Sequence, residues 1–297
     1  MLMGGRSLAR MAFVALIVLS CGGPGRGEQK EPDVEFVPTP HEVVAEMLKT
    51  AQVTQGDVVY DLGCGDGRIV IAAAKEFGAR GVGVDIDPNL IKVCQKNALK
   101  EGVADRVKFI LGDLFELDLR EATVVALYLT GELNVQLRPK LFRELRPGSR
   151  IVSHDFDMGD WKPDQTRDML GVQFFFPDDM PRVRDTRFHY WVIPADVAGT
   201  WRWNLKTPSG ERSYTLDLNQ KFQEISGKVK VRGQELALAD PLLTGDQISF
   251  WVRDEIAGQK VGMRFRARVS GNTMEGSTEV EGGSLQGSYG WTAKRGL

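Results

Sequence analysis

The chain has 297 residues, 42% hydrophobic and 26% charged, a balance that argues against wholesale disorder and leaves room for two domains with real cores. A formal net charge of -2 gives no broad basic field, so no nucleic-acid partner is expected. Three cysteines suggest no disulfide framework, and no metal is called for.

In chain order, the first segment reads as a targeting signal. Arg6 and Arg10 precede an apolar run from Met11 to Leu19, too short to span a bilayer as a helix. The run ends in Val18-Leu19-Ser20-Cys21 before Gly22-Gly23, which resembles a bacterial lipoprotein signal whose cysteine becomes the lipidated first residue. The resemblance implies a signal over 1–21, an N-terminal lipid anchor and a bacterial membrane-associated protein. An uncleaved anchor or an over-extended start, the latter giving a cytoplasmic protein, is the other reading. Residues 22–32, rich in Gly, Pro and charge, make a flexible linker.

A first domain is expected over 33–195. His41 to Gln52 places Val43, Val44, Met47, Leu48 and Ala51 at helical spacing. Then come a strand from Asp57 to Leu62, a helix from Gly67 to Phe77 stopped by Gly78, and a second strand from Gly81 to Asp87. Pro88 opens a helix through Lys100 that Gly102 closes. Strands follow at Val107 to Leu111 and Thr123 to Leu129, a helix at Glu132 to Leu145, and a fifth strand at Arg150 to His154. Such alternation implies an α/β fold, a Rossmann-like parallel sheet covered on both faces.

Val58-Val59-Tyr60-Asp61-Leu62-Gly63-Cys64-Gly65-Asp66-Gly67-Arg68 carries the chemistry. Gly63, Gly65 and Gly67 remove Cβ atoms from the turn, so a ligand can approach the backbone where the next helix begins. The dinucleotide pattern wants a glycine where Arg68 stands, which argues against NAD. Asp61 suits a ligand with an ammonium group better than a pyrophosphate. Asp85 ends the second strand, where a carboxylate can accept both hydroxyls of a ribose, and Asp113 in Gly112-Asp113-Leu114 ends the third, within reach of an adenine amino group.

These residues resemble the class I, seven-stranded S-adenosylmethionine-dependent methyltransferases. The resemblance implies that S-adenosylmethionine is the cofactor, with Gly63, Cys64, Gly65 and Gly67 along its methionine part and Asp61 holding its amino group. Asp85 would take the ribose, Ile86 would lie on the adenine, and Asp113 with Leu114 would meet its edge. Phe36-Val37-Pro38-Thr39-Pro40 and the later Trp161-Lys162-Pro163 are similar to small non-SET protein-lysine methyltransferases of the ATP synthase c-subunit type. In that group the segment before the first helix folds over the cofactor, so Pro38 and Thr39 join the site. Because S-adenosylmethionine is made in the cytosol, this cofactor favours the cytoplasmic reading of the N-terminus.

Methyl transfer depends on positioning and on an amine that arrives neutral. The acceptor side belongs to the ends of the fourth and fifth strands, which makes Tyr128, His154 and Asp155 the catalytic candidates; Trp161 could wall an acceptor channel or pack in the core. Asn-Pro-Pro-Tyr, typical of adenine-N6 and glutamine methyltransferases, is absent from the fourth strand. The expected acceptor is a protein or small-molecule amine such as a protein lysine. A SAM-binding domain without catalysis, serving as a tether or sensor, is the alternative. From 199 to 297, alternating runs such as Glu224 to Val231 and Gly262 to Val269, with turns including Ser226-Gly227 and Ser270-Gly271-Asn272, predict an all-β antiparallel barrel or sandwich. Gly199-Thr200-Trp201 resembles the first strand of lipocalin-like barrels.

Overall fold

Val43, Val44, Met47 and Leu48 recur on one face of helix α1 (His41–Thr50) and are buried, which fixes the helix against the first sheet. The computed structural model describes residues 36–175, 180–256, 258–282 and 285–296, all within one compact unit. The expected signal, Cys21 and the linker lie outside the described residues.

Strand β1 (Val58–Leu62), helix α2 (Arg68–Phe77), strand β2 (Arg80–Asp85), helix α3 (Pro88–Lys100), strands β3 (Val107–Leu111) and β4 (Val124–Leu127), helix α4 (Gly131–Glu144) and strand β5 (Arg150–His154) follow in order. These five strands run parallel. β1 and β4, buried at every position, sit at the centre. Asp87 caps α3 by accepting from Asn89 N, and Pro88 supplies a first turn that needs no donor. The fourth strand stops at Leu127, two residues short of the expected Leu129, so Tyr128 and Leu129 stand in the loop beyond its end.

The resemblance implies seven strands, but the reading of the sequence placed only five of them. Strands β6 (Gln165–Phe175) and β7 (Pro181–Val192) extend the sheet to the order β3-β2-β1-β4-β5-β7-β6, with β7 antiparallel to both neighbours. Their exposed, arginine-rich outer half hides the period-2 signal, while Val172, Phe174, Phe188 and Trp191 are buried. The chain reverses its direction of progress across the sheet between β1 and β4. There the strand ends leave a crevice in which open α/β sheets take ligands.

The second sheet contains β8 (Gly199–Thr207), β9 (Gly210–Lys221), β10 (Glu224–Val231), β11 (Gln234–Ala237), β12 (Ala239–Thr244), β13 (Gln247–Ile256), β14 (Gln259–Ser270), β15 (Thr273–Glu281) and β16 (Gly287–Arg295). The order β11-β10-β9-β8-β16-β15-β14-β13-β12 is an antiparallel meander in which β16 pairs back onto β8. β10 and β11 approach β12 and β13, so the sheet nearly closes into a barrel. Alternate residues point inward, and the interior is packed with rings: Trp203 lies 5.2 Å from Tyr214, 5.5 Å from Phe265 and 5.1 Å from Trp291. Trp201, of the Gly-x-Trp segment, is buried beneath the Arg295 guanidinium of β16 at 4.7 Å. Ser226-Gly227 does not form the expected turn. It lies inside β10, where a Cβ on Gly227 would sit 2.1 Å from the Asp217 carbonyl oxygen of β9.

The tip of the β9–β10 hairpin joins the two sheets. Phe222, at φ 56°, packs 5.7 Å from Phe142 and 5.9 Å from Trp161. The indole N–H of Trp161 donates to Gln223 Oε1 at 2.8 Å. Trp161 is fully buried here and does not line the cavity described below.

Candidate active site

The carboxyl ends of β1 to β4 and the segment before α1 enclose a cavity of about 510 Å³. Pro38, Thr39, Asp61, Gly63, Cys64, Asp85, Ile86, Asp113, Leu114 and Tyr128 line it. Gly65 and Gly67 do not line it; they shape its rim. A Cβ on Gly65, which sits at φ 55°, would come within 2.0 Å of the Phe36 ring, so this glycine lets the capping segment lie flat on the loop. Gly67 begins α2 in a left-handed conformation without a side-chain cap.

The three acidic strand ends differ in what already holds them. Asp85 accepts from Gly65 N at 2.8 Å and Asp87 N at 3.0 Å; each oxygen keeps a further lone pair for a ligand hydroxyl. Asp113 accepts from Phe115 N at 2.9 Å, closing a local turn. Asp61 is 2% exposed, and burial, reinforced by Asp66 and Asp85, pushes its carboxyl well above the ordinary range against the opposing Arg68. A bound ammonium would restore its charge. A buried carboxylate that calls for a cation, a carboxylate with free lone pairs and an apolar slot at Ile86 and Leu114 fit the amino, ribose and adenine parts of S-adenosylmethionine.

Arg68 has a part that sequence reasoning missed. Its guanidinium grips Asp66 at 2.9 and 2.7 Å and donates to the Thr39 carbonyl at 2.8 Å, fastening the capping segment to the glycine loop. Its position directly after the third glycine was the available signal. Beneath the loop, Cys64 and Cys94 are free buried thiols 3.8 Å apart, and Cys94 donates to the Gly65 carbonyl.

On the acceptor side, Tyr128 faces the cavity, and burial first, then Asp155, raises its hydroxyl to about 12, so it stays protonated at neutral pH. His154 is wholly buried behind Thr39, outside the cavity lining, and burial lowers it to about 4. Its ring nitrogens meet Thr39 Oγ1 at 3.2 Å and Thr186 Oγ1 at 2.8 Å. Thr186 gives its one proton to Asp155 Oδ1 at 2.5 Å, so it accepts from Nε2–H. The neutral imidazole then accepts at Nδ1 from the Thr39 hydroxyl. A directed chain of hydrogen bonds thus runs from the cofactor cap to Asp155, and His154 acts within it as a positioning group rather than an exposed base. Burial opposes the charge of Asp155, but Thr186, His154 and Arg184 together hold its carboxyl below the ordinary range. Thr186, Arg184 and Phe174 arrive on the β6–β7 hairpin, and no local motif announces them. Among the described residues, no group of three or more His, Cys, Asp or Glu side chains could hold a metal ion.

The ANTKMT methyltransferase domain family matches residues 61–165. A protein-lysine N-methyltransferase of Saccharolobus islandicus (strain REY15A) is 50% identical over 133 residues, 44% of this chain and 83% of that protein. The lysine N-methyltransferase of the ATP synthase c-subunit from Rattus norvegicus is 37% identical over 131 residues, 44% of this chain; the match spans 60% of the rat protein, under two thirds of its length. An RNA methyltransferase from Salinibacter ruber, crystallised with S-adenosyl-L-homocysteine, is 54% identical, with 54% of this chain and 96% of that chain covered and a TM-score of 0.49.

Proposed function

We propose that this chain, which belongs to the family of S-adenosylmethionine-dependent protein-lysine methyltransferases, uses a lysine amine of a protein as its acceptor. The observation that carries the reading is the placement of Tyr128 at the boundary between the cofactor cavity and the Asp155 carboxylate. When bound, S-adenosylmethionine would supply a methyl group on a sulfonium: the N–C bond to the neutral amine forms as the S–C bond breaks, and one N–H proton passes to water. The chain's own residues do the positioning. Asp61 and Asp85 would hold two ends of the cofactor, Arg68 fastens the capping segment that would cover it, and Leu129 and Leu133 line the cavity beside Tyr128. The expected lipid at Cys21 would tether this activity to a bacterial membrane, a reading supported by the Ser20-Cys21 boundary after a short apolar run.

Labelled S-adenosylmethionine, given to the purified full chain together with membrane and soluble fractions, tests the acceptor. Label recovered as methyl-lysine in protein is the expected result, whereas label in RNA alone overturns it. Intact mass of membrane-extracted protein tests the tether: a chain starting at Met1 without lipid mass overturns it.

A further inference from the structure

Asp155 combines features that packing alone does not require. It is a non-glycine residue at φ 60°, in the left-handed region that side chains other than Asn and Asp seldom enter. Its backbone N–H donates to Arg187 O at 2.9 Å, and its Oδ1 is fixed by Thr186. Oδ2, 3.8 Å from His154 Nε2, meets the Arg184 guanidinium at 2.6 Å. That guanidinium also donates to Tyr128 OH at 3.3 Å and lies 4.0 Å over the Phe174 ring. A carboxylate, a phenol oxygen and an aromatic face converge on one cation, which is the chemistry that recognises an alkylammonium.

The two halves of this pair are held unequally. The Asp155 side chain is 16% exposed and locked by the chain running back through Thr186 and His154 to Thr39. The Arg184 side chain is 41% exposed, on a long flexible stem in the outer part of β7. A fixed anion with a movable cation can exchange one cation for another, and the carboxylate is then never left buried and unpaired. Tyr128 touches this seat and lines the cofactor cavity at once.

We propose that Asp155, Tyr128 and Phe174 form the acceptor-amine subsite, and that the Arg184 guanidinium is its resident occupant, displaced when an alkylammonium acceptor enters; the ammonium gives one N–H proton to water there, and the neutral amine is what meets the methyl group. The proposal rests on the reading of the chain as an amine methyltransferase. Arg184 therefore sets how readily the seat opens, while Asp155 and Tyr128 touch the acceptor.

The test uses the full chain and n-butylamine as probe. Calorimetry first establishes S-adenosylhomocysteine binding for the wild type, Arg184→Ala and Arg184→Met, the last keeping apolar contact with Phe174. n-Butylamine is then titrated into each saturated protein. Tighter binding by tenfold or more in both Arg184 variants is expected, with the gain lost in Arg184→Ala/Asp155→Asn. Labelled methyl transfer to n-butylamine should rise in step. Equal amine affinity in wild type and variants overturns the proposal, as does a gain that survives Asp155→Asn or bound amine that acquires no label. Absence of S-adenosylhomocysteine binding in the wild type overturns the methyltransferase reading itself, and the proposal with it.

Discussion

Two buried aspartates show how differently the two sheets treat charge. In the barrel, Asp254 is 7% exposed and faces Arg212 at 3.3 Å, with Tyr214 OH at 3.4 Å, so the interior supplies its own counter-charge. In the parallel sheet, Asp61 is more deeply buried, and Arg68 is committed to Asp66 and the Thr39 carbonyl instead. A nearly closed barrel packed with rings settles this charge internally. An open sheet can leave one for a ligand, because the crevice at its reversal point receives one. The unsettled charge, not the burial, is what marks a site.

The largest effect expected from this contrast lies in the barrel. Trp203→Ala should lower the free energy of unfolding in urea by about 3–5 kcal/mol, the usual cost of emptying an aromatic core position. S-adenosylhomocysteine affinity of the folded variant should stay within about twofold, since Trp203 touches none of the cavity. A folded variant that loses affinity breaks the separation between the two sheets.

His154 sharpens the contrast through pH. Its folded value of about 4 lies below the roughly 6.5 of an unfolded histidine, so between those limits the unfolded chain binds more protons. The contribution is complete above about pH 6.5 and disappears as pH falls through about 4, with a ceiling of about 3 kcal/mol. Urea unfolding of wild type and His154→Gln at pH 7 and pH 5 should show the wild type losing more stability than the variant. Parallel losses would mean that the ring is not held neutral.

Asp85→Ala should weaken S-adenosylhomocysteine by about 1–3 kcal/mol, the cost of leaving ligand hydroxyls without an acceptor. An unchanged dissociation constant would displace the ribose from the end of β2. The smallest effect belongs to the hairpin tip. Gln223→Ala removes the acceptor of the Trp161 N–H at a half-exposed position and should cost about 1 kcal/mol in the same urea measurement.

Residues close in sequence made the cofactor half legible. Asp61, the glycines and Arg68 fall within one strand, one turn and the start of one helix; Asp85 ends the next strand, and Asp113 follows the end of β3 by two residues. The acceptor half was not legible, because Thr186, Arg184 and Phe174 reach Asp155 only through the pairing of β5 with β7 and β7 with β6. Arg182-Val183-Arg184-Asp185-Thr186-Arg187 reads as a polar stretch, and nothing within it says which side chain turns inward. In the barrel, alternation gave the class of fold, yet Ser226-Gly227 read as a turn when the glycine was there for close contact with β9.

The pairing of β16 with β8 also bears on synthesis. The strands of the methyltransferase sheet are all present once β7 has emerged, and helices and neighbouring parallel strands can begin to pack. β8, by contrast, must hold one open edge until β16 is made, with its buried face already carrying Trp201 and Trp203. Long-range closure of this kind is slow and exposes a sticky edge in the meantime. A translating ribosome thus releases the catalytic sheet before its barrel can shut, and the hairpin tip at Phe222 lets the half-made barrel rest on a surface already formed.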